Sequence, residues 1–321
     1  WSESNLMAIF KCIRCGLEKP VDDEYVCPCG GLFEVQHSFG DVSLDYFDGK
    51  LCEIGSSWNS GVWRYKELIH PEIDQKYVVS RPEGNTNLYK RQHVAYYADV
   101  DELYLKHEGE NPSGSFKDRG MTVGVSVALS NGATKVACAS TGNTSASMAA
   151  YAVQAGLQGV VFIPEGMIAY GKLAQALAYG AKVVQVKGNF DDAMDIVKNG
   201  SKRLGFYILN SINPWRIEGQ KSIIFEMLQQ RRWNPPDWIA VPAGNLGNTS
   251  AFGKALRELK QLGLIEKMPR IASIQAEGAN PFYKLWNSVD KQLVSMHPDT
   301  IATAIKIGNP VSWEKALRTI R

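Results

Sequence analysis

The stretch Asn111-Pro112-Ser113-Gly114-Ser115-Phe116-Lys117-Asp118-Arg119-Gly120-Met121 sets one lysine directly behind a Pro-Ser-Gly-Ser turn. A turn of that composition delivers Lys117 onto the first turn of the helical pattern that follows. There the positive end of the helix dipole and partial burial both disfavour the ammonium form. A lysine that attacks a carbonyl to form an imine must first lose its proton, so this placement suits carbonyl chemistry. For a Lys-Asp pair taken alone, an ordinary solvated lysine is the better account. The turn chemistry and two further loops make it the weaker one here.

Both loops have the makings of anion sites. Ser140-Thr141-Gly142-Asn143-Thr144 follows an apolar run and opens a helical pattern near Ser145, and Gly244-Asn245-Leu246-Gly247-Asn248 does the same ahead of Thr249. Small residues and free backbone N–H groups at a helix start attract anions through the dipole and through geometry. The two glycines of the second loop let the backbone approach closely and take positive φ, which suits a phosphate. The hydroxyls and amide of the first suit a carboxylate and a neutral hydrogen-bonding partner. Neither loop matches G-x-G-x-x-G or G-x-x-x-x-G-K-[ST]. Either alone reads equally well as a plain helix cap; two in one chain favour ligand sites.

Four of the six cysteines fall at Cys12, Cys15, Cys27 and Cys29. Four thiolates suit one tetrahedral zinc ion, although the second pair has one intervening residue where a zinc ribbon has two. Unmetallated, packed thiols stay open as the other reading. Cys52 and Cys138 read as core or partly buried thiols. The five histidines show no metal-ligand spacing, so no catalytic metal is indicated.

These groups must be positioned by regular elements. Apolar, β-branched runs at 135–140, 160–164, 182–186, 207–210, 238–242 and 271–275 alternate with helical patterns at 116–130, 145–155, 172–179, 191–204, 217–231 and 249–262. Runs so nearly unbroken in apolarity are strands buried on both faces, and many of the helical patterns close on glycine. The alternation predicts an α/β fold with parallel sheets, in which ligands bind beyond the carboxyl ends of the strands. Both loops occupy such ends. A separate unit at 1–35 holds the cysteines and the strand-like Leu32-Phe33-Glu34-Val35.

Bulk properties narrow the class. A chain of 321 residues has room for two ordinary domains, and 45% hydrophobic with 21% charged residues excludes a disordered or fibrous protein. Net charge is +2 with Lys and Arg spread along the chain, which argues against a nucleic-acid partner. No apolar run approaches a membrane span, and residues 1–6 carry no signal or transit pattern. The expected compartment is the reducing cytoplasm.

The segment Asn111–Met121 resembles the lysine motif of fold-type II pyridoxal-phosphate (PLP) enzymes, the group of tryptophan synthase β-chains, serine/threonine dehydratases and threonine synthases. Further stretches are similar to threonine synthases in particular: Glu83-Gly84-Asn85-Thr86, the run 116–121, the run 140–147, Pro164-Glu165-Gly166 with 171–181, the run Asn210-Ser211-Ile212-Asn213-Pro214-Trp215-Arg216 on to Lys221, and 302–310. The similarity runs from about residue 10 to 321. It implies two doubly wound parallel-sheet domains. A larger PLP-binding one comprises 36–108 and 212–321, and a smaller mobile one, 109–211, carries the lysine and the carboxylate loop. It also implies the reaction: O-phospho-L-homoserine and water give L-threonine and phosphate.

The resemblance assigns roles residue by residue. Lys117 holds PLP and then moves protons, with Thr144 also catalytic. Asn143 bonds the cofactor's ring hydroxyl, and Gly244, Asn245, Leu246, Gly247 and Asn248 cradle its phosphate. Ser140, Thr141, Asn143 and Thr144 receive the substrate carboxylate. Asn210, Ser211 and Arg216 receive the substrate phosphate, a task for which an arginine beside a strand-end loop is chemically suited. A surface helix-start arginine is the alternative reading. A Ser or Thr at the pyridine nitrogen is expected beyond Arg321, so none is assigned here. The fold implies a homodimer, and the cysteine unit resembles an extension in which a metal is structural. Two other readings stand: a PLP-dependent serine/threonine dehydratase, which has no substrate phosphate for Arg216, and a non-catalytic binding module of the same fold.

Overall fold

The structure is a computed structural model and describes residues 8–53, 55–166, 170–188 and 190–320. It opens with an antiparallel sheet in which β1 (Ile9–Cys12) lies between β2 (Glu18–Pro20) and β3 (Phe33–Gln36). Next come β4 (Leu88–Lys90) and β5 (Tyr104–Lys106), a short antiparallel pair. Then β6 (Lys135–Ala139), β7 (Gln158–Pro164), β8 (Lys182–Val186) and β9 (Phe206–Ile208) form a four-stranded parallel sheet in the order β8-β7-β6-β9. Finally β10 (Trp238–Pro242) pairs in parallel with β11 (Arg270–Ile274).

The α/β class with parallel sheets is as expected, and the strand patterns follow from position. Central β6 and β7 are buried along nearly their whole length, whereas edge strand β8 alternates more with solvent. The second parallel sheet differs from expectation, since only two of its strands appear among the described residues. Residues 36–108 supply short helical turns around Phe47, Trp63 and Tyr65 and the β4–β5 pair instead of parallel strands. No helix among the described residues is long and apolar enough to cross a membrane.

Two helices form the frame of the interior. Helix Lys117–Ser130 is buried from Asp118 to Ala128, and helix Pro214–Gln230 from its first residue to Gln229. Helices buried all round have no polar face, so their charged residues must find partners inside. Arg119 does so with Glu108 at 2.7 Å and Glu226 at 2.9 Å. Glu226 also accepts from the backbone N–H groups of Asn85 and Thr86 and from Lys106. Burial works to raise the Glu226 pKa, but Arg119 and Lys106 bring it down to about 2. The Glu83–Thr86 stretch is therefore held by the same knot that locks the lysine helix.

Close approach of the two helices depends on missing side chains. A Cβ on Gly219 would stand 1.9 Å from the Arg119 carbonyl oxygen, and one on Gly120 would stand 2.9 Å from that of Arg216. Gly219→Ala must push the helices apart at a point where both are packed on every side. We expect a lower urea midpoint, by about 3 kcal/mol or more. Gly171→Ala is the control: it is exposed, helical and without a neighbour within 4 Å, so its midpoint should hold or rise.

Candidate active site

Lys117 is the first residue of its helix, and a network around Asp118 fixes the turn before it. Gly114, at φ +82°, donates its N–H to the Asn111 carbonyl at 2.8 Å. The buried Asp118 carboxylate accepts from the Ser113 N–H at 2.6 Å, from the Ser113 hydroxyl at 2.5 Å and from the Ser147 hydroxyl at 2.5 Å. Burial raises the Asp118 pKa, and these donors oppose it. One carboxylate thus closes the turn and clamps it to helix Asn143–Gln154.

Lys117 itself is half-buried, with protein on most sides but some access to solvent. Its Nζ has no hydrogen-bond acceptor or carboxylate partner among the described residues and stands 4.2 Å from the Phe116 ring centroid. Burial, and then the positive charge of Arg216, lower its pKa from 10.5 to about 7. Near neutral pH about half of such amines are unprotonated and nucleophilic.

Arg216 explains that second influence. Asn213 caps its helix by accepting from the Trp215 N–H at 2.9 Å, with Pro214 at the first position. The cap sets Arg216 in the first turn, its stem against Gly120 and Gly124. Its Nη1 donates to the Leu209 carbonyl at 3.2 Å, its Nε is buried without a partner, and no carboxylate pairs with it among the described residues. Burial lowers its pKa to about 10. A buried guanidinium short of acceptors is costly unless an anion completes it.

Both loops are tied to the lysine helix, the second through Gln220 and the first through Ser147 on the helix it opens. The loop after β10 leads into helix Gly247–Gln261, which no side chain caps, and the Asn248 Oδ1 is buried without a partner. Positive φ falls on Leu246 (+64°) and on neither glycine, which corrects the expectation for this loop. Leu246 is held in that conformation because its side chain is buried with Ala243, Phe282 and Leu285. The glycines serve by lacking a Cβ. At Gly244 it would be 3.3 Å from the Ile305 Cα, and at Gly247 3.1 Å from the Gln220 Oε1. After β6, helix Asn143–Gln154 is likewise uncapped by any side chain. Ser140 accepts from the Gly142 N–H at 3.2 Å, while Thr141, Asn143 and Thr144 make no side-chain hydrogen bond among the described residues.

Asn210 has a structural task beside the role that the resemblance implies, and one amide N–H is left over for that role. Its amide donates to and accepts from the Ala139 backbone, both at 3.0 Å, extending the β6–β9 ladder beyond its last pair. With both ends engaged, it fixes the spacing of two strand ends. Ser211 is half-buried beside it and makes no such bond. Gln220 gained no role from its sequence and has one here. Its buried Oε1 is unpaired near Gly247 and its Nε2 approaches Gly120, so it bridges the lysine helix and the second loop. The available signal was its spacing, one turn after Arg216 on the same helix face. Cys138 is buried near Arg216, and the Cys52 side chain lies outside the described residues.

The chain resembles known proteins along most of its length. A family profile described as "Pyridoxal-phosphate dependent enzyme" matches residues 79–321. The threonine synthase of Methanocaldococcus jannaschii is 48% identical over 312 residues, covering 97% of this chain and 76% of that protein. That of Methanosarcina acetivorans is 46% identical over 314 residues, covering 97% and 75%. Among solved structures, threonine synthase from Escherichia coli aligns with a TM-score of 0.70 at 20% identity, covering 98% of this chain and 74% of that one. Maize serine racemase aligns with a TM-score of 0.65 at 18% identity, covering 81% and 76%. These last two likenesses concern the fold alone.

Proposed function

The chain belongs to the pyridoxal-phosphate dependent enzymes and, within them, to the threonine synthases, and from that premise we propose that Lys117 and Arg216 divide the work of converting O-phospho-L-homoserine and water to L-threonine and phosphate. The observation that carries the assignment is a desolvated amine close to a buried guanidinium whose Nε has no partner, with no carboxylate on either among the described residues.

The residues present fit the cofactor. Two helix starts lack caps, Asn248 and Gln220 carry buried unpaired oxygens, and the free amine faces no carboxylate. Gly244, Asn245, Leu246, Gly247 and Asn248 would hold the cofactor phosphate, Asn143 its ring hydroxyl, and Lys117 its carbonyl carbon. The chemistry that bound PLP supplies is an electron sink for charge released at substrate carbons.

This chain's own residues do the rest. Ser140, Thr141, Asn143 and Thr144 receive the substrate carboxylate at the helix start. Lys117 Nζ, uncharged in about half of the molecules near neutral pH, takes a proton from the substrate and returns it to a neighbouring carbon. Arg216, with Ser211 and Thr144, draws the departing phosphate by completing the guanidinium's missing contacts. Asn210 holds the two strand ends at fixed spacing and offers its second amide N–H to the same phosphate. Residues 109–211 form the smaller domain and close over the larger one, 36–108 with 212–321, shutting out water. The reading includes a homodimer in the cytoplasm, and free thiols at Cys12, Cys15, Cys27, Cys29 and Cys138 support a reducing compartment.

The test compares two substrates on one preparation. Phosphate and L-threonine should appear in equal amounts from O-phospho-L-homoserine, far faster than L-threonine is consumed. If L-threonine were turned over to 2-ketobutyrate faster, the dehydratase reading would replace this one.

A further inference from the structure

The four cysteine sulfurs form a cluster that the reaction does not use. Cys12 and Cys29 Sγ lie 3.5 Å apart, Cys15 and Cys27 Sγ 3.6 Å, and all four fall within 4.8 Å of one another. Zinc–sulfur bonds of 2.3 Å place the corners of a tetrahedron about 3.8 Å apart, so the cluster already has the size of a zinc site. Disulfide bonds require about 2.05 Å and do not fit these separations.

The backbone accounts for the unequal spacing. In the first turn the Cys12 carbonyl accepts from Gly16 at 3.0 Å, four residues on. In the second the Cys27 carbonyl accepts from Gly30 at 2.7 Å, three residues on. Gly16 and Gly30 both take positive φ, at +76° and +82°. The turn with one residue fewer between its cysteines is tighter by one residue, and both end with paired sulfurs facing each other. Gly31 closes the cluster: a Cβ there would stand 2.8 Å from Cys12 Sγ and 3.4 Å from Cys29 Sγ.

We propose that Cys12, Cys15, Cys27 and Cys29 bind one zinc ion as thiolates, and that this ion braces the wall behind the Arg216 turn. Four thiol protons pass to solvent as the metal binds. Arg14, which donates to the Cys29 carbonyl at 2.8 Å and pairs with Glu314 at 2.9 Å, offsets the negative charge of a four-thiolate site. Three strands of three or four residues make too small a core to be stable unaided, which is where metals serve. The unit leans directly on the helix that carries Arg216. Tyr25 accepts from the Asn213 amide at 3.3 Å, the Phe10 ring is 6.5 Å from that of Trp215, and His37 meets Glu218 at 2.9 Å. Asn213 is the cap of that helix, so motion in the cysteine unit reaches Arg216 within three residues.

The test uses the whole chain. One zinc per chain should be released as the thiols are titrated with a mercurial, and cobalt(II) in its place should give the charge-transfer and d–d bands of a tetrahedral four-thiolate site. Cys15→Ser and Cys29→Ser should each lose the metal and lower the melting midpoint by about 5 °C or more, whereas Cys138→Ser keeps it. The proposal is overturned if the chain grown with zinc contains none and cobalt gives no such bands, if the Cys15→Ser/Cys29→Ser double variant retains zinc, or if mass measurement after reducing lysis finds two disulfides. The cobalt spectrum of the unaltered chain decides the matter even if the variants do not fold.

Discussion

Lys117→Ala lowers the rate of L-threonine formation by about 10⁴-fold or more while leaving the melting midpoint nearly unchanged. The rate falls because no other group at the site can attach a carbonyl or shuttle a proton between substrate carbons. Lys172, another amine beside the Ser113-Gly114 turn, is already engaged with the Ser113 carbonyl at 3.2 Å. The midpoint holds because the Lys117 side chain makes no hydrogen bond or ion pair among the described residues, and the cost of desolvating its amine offsets the contact with the Phe116 ring. Loss of activity with loss of fold would point to a structural lysine. In the unaltered chain, the rate at which added PLP develops its visible band should reach its half-rise at about pH 7 and level off above that. An unshifted lysine would need about pH 10.4 for the same half-rise.

Arg216→Ala should cut kcat/KM for O-phospho-L-homoserine by about 10²- to 10⁴-fold, the equivalent of about 3–5 kcal/mol of a buried, charge-assisted contact. Any slow conversion of unphosphorylated L-threonine should survive, because that substrate has nothing for a guanidinium to hold. Arg216→Lys should recover only part of the loss, since an ammonium lacks the planar fork that grips two phosphate oxygens. A second readout separates this from general damage. Arg216 is one of the two influences that depress Lys117, so its removal should move the half-rise of band formation to higher pH. If kcat/KM fell equally for both substrates, Arg216 would be a packing residue whose stem fills the slot over Gly120 and Gly124.

The parts of the site legible in the sequence were those set by local rules. The Pro-Ser-Gly-Ser turn before Lys117, the helix starts expected near Ser145 and Thr249, and the Asn213-Pro214 start that places Arg216 all depend on neighbours in sequence. The structure finds the turn and the Pro214 start there, and the two loop helices beginning two residues earlier, at Asn143 and Gly247. What escaped depends on tertiary partners. The resemblance makes Asn210 a phosphate ligand, and nothing local shows that Ala139, far away in the chain, also holds its amide. Two glycines in one loop suggested positive φ, but the burial of Leu246 imposes that conformation on a leucine and leaves the glycines to make room. Gln220 had no local signal beyond its spacing from Arg216. The strand runs at 135–210 were readable as a parallel sheet because apolarity was continuous. The stretch 36–108 has no such runs, and its expected strands rested on resemblance alone. The cysteine spacing looked irregular until the tighter second turn accounted for the missing residue.

The central claim is that Lys117 and no other lysine carries the cofactor. Reduction of the PLP-loaded chain with borohydride, followed by digestion and mass mapping of its peptides, tests it most directly. The account predicts one reduced pyridoxyl-phosphate adduct per chain, on the peptide that contains Lys117. An adduct on Lys172 or any other lysine, or a chain that carries none, would contradict it.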